Sequence, residues 1–204
     1  MSNPSPSPPN RPPNEVRGPA HALHAGLEPS PWIRRWSPLV PAQATVLDVA
    51  CGSGRHVRWF AARGCRVVGV DRDAAATQPL RTIAEVHVAD IEQGPWPFEG
   101  LRFDAVVCTN YLWRPLLPRI VAAVADGGVL LYETFAAGNE TVGRPSNPDF
   151  LLRPGELLAA AAALRVIAYE DGFLEAPPRF VQRLAAVRDA TSASTPRRVP
   201  LDAG

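Results

Sequence analysis

"TVLDVACGSGRHV", residues 45–57, places a carboxylate, Asp48, inside an apolar run and four residues before the first of two glycines, Gly52 and Gly54. The run is short, rich in β-favouring residues and closed by glycine, which reads as a buried strand. The stretch after it, "GRHVRWFAARG" (54–64), sets Val57, Phe60 and Ala61 on one face and stops at Gly64, which reads as a helix. Glycine lets the turn between them tighten and approach a ligand closely. The opening of the helix then leaves backbone N–H groups directed at the strand end. Many α/β folds need such a turn only to join strand to helix, so the unit alone is open to both readings.

The same alternation continues outward. "RVVGVD" (66–71), "AEVHVAD" (84–90), "FDAVVCTNYL" (103–112) and "VLLYETF" (129–135) read as further strands. "RPLLPRIVAAVADGG" (114–128) reads as a helix with prolines in its opening turn and a glycine stop, and "PGELLAAAAAL" (154–164) as another. "RVIAYEDGF" (165–173) and "RFVQRLAAVRD" (179–189) close the pattern as two strands. Alternation of this kind predicts an α/β fold: a doubly wound, mostly parallel sheet with helices on both faces. The proline- and serine-rich residues 1–19 and the polar residues 190–204 have little to bury and are expected to be disordered tails around a single domain, 20–189.

Composition removes several chemistries. The 204 residues carry 21 basic and 20 acidic side chains, and every basic one is arginine. Schiff-base catalysis and a phosphate-loop lysine are therefore excluded. A near-zero net charge gives no field for nucleic acid or an anionic membrane. Cys51, Cys65 and Cys108 form no CxxC pair and no metal-ligand set, and read as small buried thiols. No apolar run reaches the length of a membrane span and the N-terminus lacks a signal-peptide layout, so a cytoplasmic location is expected.

In a doubly wound sheet ligands bind at the carboxyl ends of the strands. Here those ends carry Ala50-Cys51-Gly52-Ser53-Gly54, then Asp71, then Asp90-Ile91, then Asn110-Tyr111. Asp71 is placed to accept from ribose hydroxyls, or to cap the next helix, as Asp73 also can. Asp90 can accept from an exocyclic amine with Ile91 against the ring, or be an ordinary loop aspartate. Three acids and a glycine turn on successive strand ends point to one ligand.

These residues resemble class I S-adenosylmethionine-dependent methyltransferases: "VLDVACGSG" is similar to the first motif of that superfamily and "VVGVD" to its second. The likeness is strongest over residues 44–135, and within the superfamily is nearest to small bacterial enzymes of the tellurite-resistance and ubiquinone-biosynthesis type. It implies a seven-stranded Rossmann-like sheet whose last strand, about 179–188, is antiparallel. It also implies a cofactor, S-adenosyl-L-methionine, bound by Asp48, Ala50, Cys51, Gly52, Gly54, Asp71, Arg72, Asp90, Ile91, Asn110 and Tyr111. Asp48 would hold the turn and lie near the cofactor's cationic amino group. Asn110 and Tyr111 would line the methionine and methyl end.

A nicotinamide dinucleotide is the weaker alternative, because Val57 stands where its fingerprint needs a third glycine and Asp48 would repel a pyrophosphate. A cofactor-binding sensor or scaffold without turnover is the other. The "NYLW" after the fourth strand lacks the N/D-P-P-Y-type motif of enzymes that methylate nucleobase or glutamine amino groups. No metal site and no obligatory general base is expected, and a small molecule is the expected acceptor. Its pocket is expected from the long polar segment 132–154, with Glu133 as a base or a cap, and Arg144 and Arg153 as anion binders or solvated side chains. Tyr111 and Trp113 either wall that pocket or pack between strand end and helix. His56 either faces the cofactor or lies on the surface. His21, His24, Trp32 and Trp36 suggest an N-terminal flap, the two tryptophans alternatively a core staple.

Overall fold

The computed structural model describes residues 28–190 and 198–201. The tails expected at 1–19 and 190–204 lie outside these residues, apart from 190 and 198–201, as do His21 and His24. Twelve helices and strands follow in chain order: α1 (Pro31–Trp36), β1 (Thr45–Val49), α2 (Arg55–Ala62), β2 (Arg66–Asp71), α3 (Ala74–Thr77), β3 (Glu85–Val88), β4 (Phe103–Thr109), α4 (Leu117–Ala122), β5 (Val124–Phe135), α5 (Glu156–Ala160), β6 (Arg165–Glu175) and β7 (Pro178–Val187). The seven strands form one sheet in the order β3-β2-β1-β4-β5-β7-β6. Pairs among β1 to β5 are parallel; β7 runs antiparallel between β5 and β6. This is the fold expected from the sequence, with the reversed last strand that the family resemblance implied.

Side-chain alternation along each strand builds two cores. Leu47, Val49, Val70, Val106, Cys108, Leu130 and Tyr132 face α4 and α5, with Trp96 and Phe98 under the same face. Val46, Val67, Ala105, Val107, Val129, Leu131 and Ala185 face α1 and α2. Polar residues that continue the second set, Thr109, Glu133 and Arg183, therefore emerge on the α1/α2 side just as the strands end.

Two helices are shorter than predicted. The helix read over 114–128 opens with a single 3-10 turn, Arg114–Leu116, and its α-helical part ends at Ala122. The Ala123 carbonyl accepts from Phe103 N–H, and Val124 pairs with Phe103, so β5 begins five residues before the expected strand. Cross-strand pairing outcompetes the helix there because Val124 is fully buried while Gly127 takes a positive φ that a helix cannot use. The alanine-rich helix stops at Ala160, where small side chains bury too little area to hold another turn.

α1 settles the reading of the two tryptophans. Ser30 caps it by accepting from Trp32 N–H, and Trp32 and Trp36 meet edge to face at 5.8 Å, both buried. Trp32 Nε1–H donates to the Leu184 carbonyl at 3.2 Å, and the Arg183 guanidinium lies 5.0 Å from the Trp32 ring centre. This helix is a core staple on the sheet, not a flap.

Candidate functional site

The carboxyl end of β1 is a strained, tightly bonded turn. Ala50 has φ 54°, Gly52 φ 54° and Gly54 φ 79°, and at the end of the neighbouring β4 Asn110 has φ 54°. Two non-glycine residues in the left-handed region on adjacent strand ends cost about 1–2 kcal/mol each, a strain that clusters at functional sites. A Cβ on Gly54 would lie 2.4 Å from both Leu80 methyl carbons, so that position needs glycine for space as well as for φ. Asp71 pins the turn: its Oδ2 accepts from Gly52 N–H at 2.9 Å and its Oδ1 from Asp73 N–H at 3.0 Å. Capping of α3 falls to Asp73, which accepts from Ala76 N–H.

Beside this turn lies a shallow cleft, open to solvent and lined by Ala50, Asp71, Arg72, Ala89, Asp90, Ile91, Glu92 and Tyr111. Six of the eight were expected from sequence; Ala89 and Glu92 were not, though they flank the Asp90-Ile91 pair. Asp90 Oδ1 accepts from the N–H groups of Glu92 and Gln93, which shapes the cleft's rim. Tyr111 is buried, and its carbonyl accepts from the Tyr132 hydroxyl at 2.8 Å.

Asp48, Cys51, Gly52, Gly54 and Asn110 do not line that cleft; they lie along the adjoining turn and strand end. Burial pushes the Asp48 carboxyl up to about 7; the Asp71 charge adds to this, while the Arg55 guanidinium and Val57 N–H oppose it. Asp48 Oδ2 is buried with no hydrogen-bond partner among the described residues. Burial likewise holds the Cys51 and Cys108 thiols well above their usual range, so neither is a ready thiolate. Cys51 instead fills space against Gly69, where a Cβ would sit 3.0 Å from its Sγ.

On the α1/α2 face, cross-strand register lines up Thr109, Glu133, Arg183 and Glu170. Glu133 is fully buried; its Oε1 accepts from the Ser30 hydroxyl at 3.1 Å and faces Arg179 at 3.5 Å, and its Oε2 faces Arg183 at 3.6 Å. It thus holds side-chain charges rather than capping backbone groups. His56 is buried, not on the surface. Its Nε2 accepts from Ser30 N–H at 3.1 Å, so in the neutral ring the proton sits on Nδ1, 3.5 Å from Thr109 Oγ1. Arg55 NH2 donates to the same hydroxyl at 3.3 Å.

Segment 132–154 folds back on its own ends: Leu152 bridges Ala136, and Asn139 donates to the Pro145 carbonyl and accepts from Phe180 N–H. Arg144 and Arg153 are both exposed, and Trp113 packs on the α4/α5 core. Besides Arg72, the arginines brought to the strand ends include Arg55, Arg179 and Arg183, none of which was expected there from sequence. Period-two placement of Arg179 and Arg183 on the face of Ala185 was their visible signal.

Comparison with known proteins agrees with this geometry. Residues 46–128 match the family model described as a methyltransferase domain. A trans-aconitate 2-methyltransferase of Paracidovorax citrulli is 38% identical over 100 residues, 44% of this chain and 38% of its own length. A malonyl-[acyl-carrier protein] O-methyltransferase of Serratia marcescens is 32% identical over 104 residues, 46% of this chain and 39% of its own length. The chain thus spans about two fifths of the length of these curated relatives. Its fold superposes with a TM-score of 0.57 on a TehB-like S-adenosylmethionine-dependent methyltransferase of Corynebacterium glutamicum, at 20% identity, covering 76% of this chain and 86% of that one. Motif, strand order and family match converge on one region: residues 46–128 match a methyltransferase domain, and the sheet has the fold of the solved methyltransferase it superposes on.

Proposed function

We propose that this protein transfers a methyl group from S-adenosylmethionine to a small-molecule acceptor. The observation that carries the reading is a buried Asp48 carboxylate oxygen, without a hydrogen-bond partner among the described residues, beside a glycine turn and a cleft on the next strand ends. A buried carboxyl with a free oxygen suits a cationic amino group, which would hold it ionised. Gly52 and Gly54 leave room for the methionine part of the cofactor. Asp71 keeps spare lone pairs beyond its two backbone bonds for the ribose hydroxyls, and Asp90 can accept from the adenine amine with Ile91 against the ring. Ala50, Cys51 and Arg72 border the same path, and Asn110 and Tyr111 end it.

When bound, S-adenosylmethionine supplies an electrophilic methyl on a sulfonium, ready for in-line displacement. The chain's own task is to align the acceptor and exclude water. Tyr111 and the folded segment 136–154 supply walls for that task. Near-balanced charge supports a small molecule over nucleic acid as partner. Three free cysteines fit a reducing, cytoplasmic setting, and among the described residues no helix is long and apolar enough to cross a membrane.

The test is calorimetric titration with S-adenosylmethionine, S-adenosylhomocysteine and NADH, on the wild type and on Asp71→Ala checked for native circular dichroism. Binding of the first two, weakened about a hundredfold or more in the variant, is expected from the loss of charge-assisted bonds. Binding of NADH alone, or of none of the three, would refute the reading. A sensor or scaffold would bind both sulfur ligands tightly yet release no S-adenosylhomocysteine across an acceptor screen.

A further inference from the structure

The methyl-transfer reading leaves the chemistry of the acceptor open, and the buried arginines bear on it. Arg179 opens β7 beyond the end of β5, on the same face as Glu133 and Arg183, because β5 pairs Phe135 with Val181 and Glu133 with Arg183. Its side chain is only 11% exposed. Its Nε–H has no acceptor among the described residues, and its NH2 reaches Glu133 only at 3.5 Å. A charge-assisted N–H···O bond runs at about 2.7–2.9 Å, so this contact is a loose one. A buried Nε–H without an acceptor, beside an NH2 group whose carboxylate oxygen is distant, is an arrangement that asks for a further acceptor.

Charge counting points the same way. Glu133 is shared with Arg183 at 3.6 Å, and Arg183 is also held by Glu170, its Nε donating at 2.7 Å. Arg183 thus has two carboxylates within reach, although Glu170 also faces Arg35, whereas Arg179, among the described residues, reaches only the shared Glu133. Arg55, the first residue of α2, lies close enough to feel both charges: burial lowers its pKa, Glu133 opposes that, and Arg179 adds to it. Arg55 and Arg179 thus both lie in the field of Glu133, with Asp48 also acting on Arg55, between the glycine turn and segment 136–154. The cleft beside Asp71 and Asp90 takes no lining residue from β5, β6 or β7, so Arg179 is not part of its wall.

Resting on the methyl-transfer reading above, we propose that Arg179, with Arg55 beside it, binds a carboxylate of the methyl acceptor, so that the acceptor is a small organic acid. A planar fork matches a carboxylate in two bonds, and an anion there would complete the donors that Glu133 leaves unmet. Glu133 and Arg183 act as positioning residues that hold the Arg179 fork in place.

The test uses protein saturated with S-adenosylhomocysteine and titrates it with acetate, succinate, glutarate and citrate, each beside its neutral amide. At least one acid is expected to bind about tenfold or more tightly than its amide. Arg179→Gln should weaken that acid about ten- to a hundredfold, the loss of a charged hydrogen-bonded pair, while leaving S-adenosylhomocysteine affinity within about twofold. Arg179→Lys, which keeps the charge but not the fork, should fall between. Acids that bind no better than their amides would overturn the proposal and leave the cofactor reading intact. Weakening of S-adenosylhomocysteine by Arg179→Gln, with 5′-methylthioadenosine unaffected, would overturn it by assigning the arginine to the cofactor's own carboxylate. No S-adenosylhomocysteine binding to the wild type would remove both. Retained cofactor binding by the variants excludes misfolding as the cause of a loss.

Discussion

Asp48 gives the sharpest quantitative prediction. Its carboxyl is raised from 3.8 to about 7, chiefly by burial. An acid with a raised folded-state pKa binds its proton more tightly in the fold than in the unfolded chain. Stability from that proton is therefore complete below about pH 4, declines as pH rises through the interval to about 7, and is lost above it. A shift of about 3 units corresponds to at most about 4 kcal/mol between the two ends of that window. Asp48→Asn keeps the shape and can still accept from Val57 N–H, but carries no charge to bury. Unfolding by guanidinium chloride at pH 5, 6, 7 and 8, followed by tryptophan fluorescence, gives the difference between variant and wild type, in which other titrating groups cancel. At pH 5, just over one unit into that window, the variant should already lead by about 2 kcal/mol. At pH 8 the variant should be the more stable, by up to about 4 kcal/mol. Saturating S-adenosylhomocysteine should shrink the gap by stabilising the ionised wild type alone. A difference that is flat from pH 5 to pH 8 would refute the reasoning, since it would mean that the carboxylate is not desolvated.

Three further substitutions probe the frame around the site. Gly54→Ala should lose about 2–4 kcal/mol in chemical denaturation, because it combines a forced positive φ with a clash against fully buried Leu80; a loss below 1 kcal/mol would show that the turn relaxes freely. Trp32→Ala should cost about 3–5 kcal/mol if α1 is core, and under about 1 if that helix only rests on the sheet. Tyr132→Phe removes the hydroxyl that bonds the Tyr111 carbonyl, which should cost about 1–2 kcal/mol in denaturant unfolding and weaken S-adenosylhomocysteine in calorimetry through a looser Tyr111.

The site divides cleanly by how far its information lies along the chain. Asp48, the glycine turn and the start of α2 sit within thirteen residues, 45–57, so local pattern and backbone chemistry alone specify strand, turn and helix. Asp71, Asp90 and Tyr111 follow because each ends a strand whose apolar run is visible, and a parallel sheet carries all such ends to one edge. The limits of β5 and the short α4 were not legible, because pairing of Val124 with Phe103, twenty-one residues away, overrides local propensity. Nor was Asp71's grip on Gly52, which needs β2 beside β1 in fixed register.

By itself, then, the sequence determined the strand-turn-helix unit and the order of acids along the strand ends, since these depend on neighbours in the chain. Only the tertiary structure decided that Ser30, His56, Glu133, Arg179 and Arg183 meet. Those contacts join segments up to 103 residues apart, as in the bond from Ser30 to Glu133, and exist because β7 turns back antiparallel beside β5 while α1 caps the same face. Register between distant strands is fixed by burying the whole face at once, and no short window of residues carries that information.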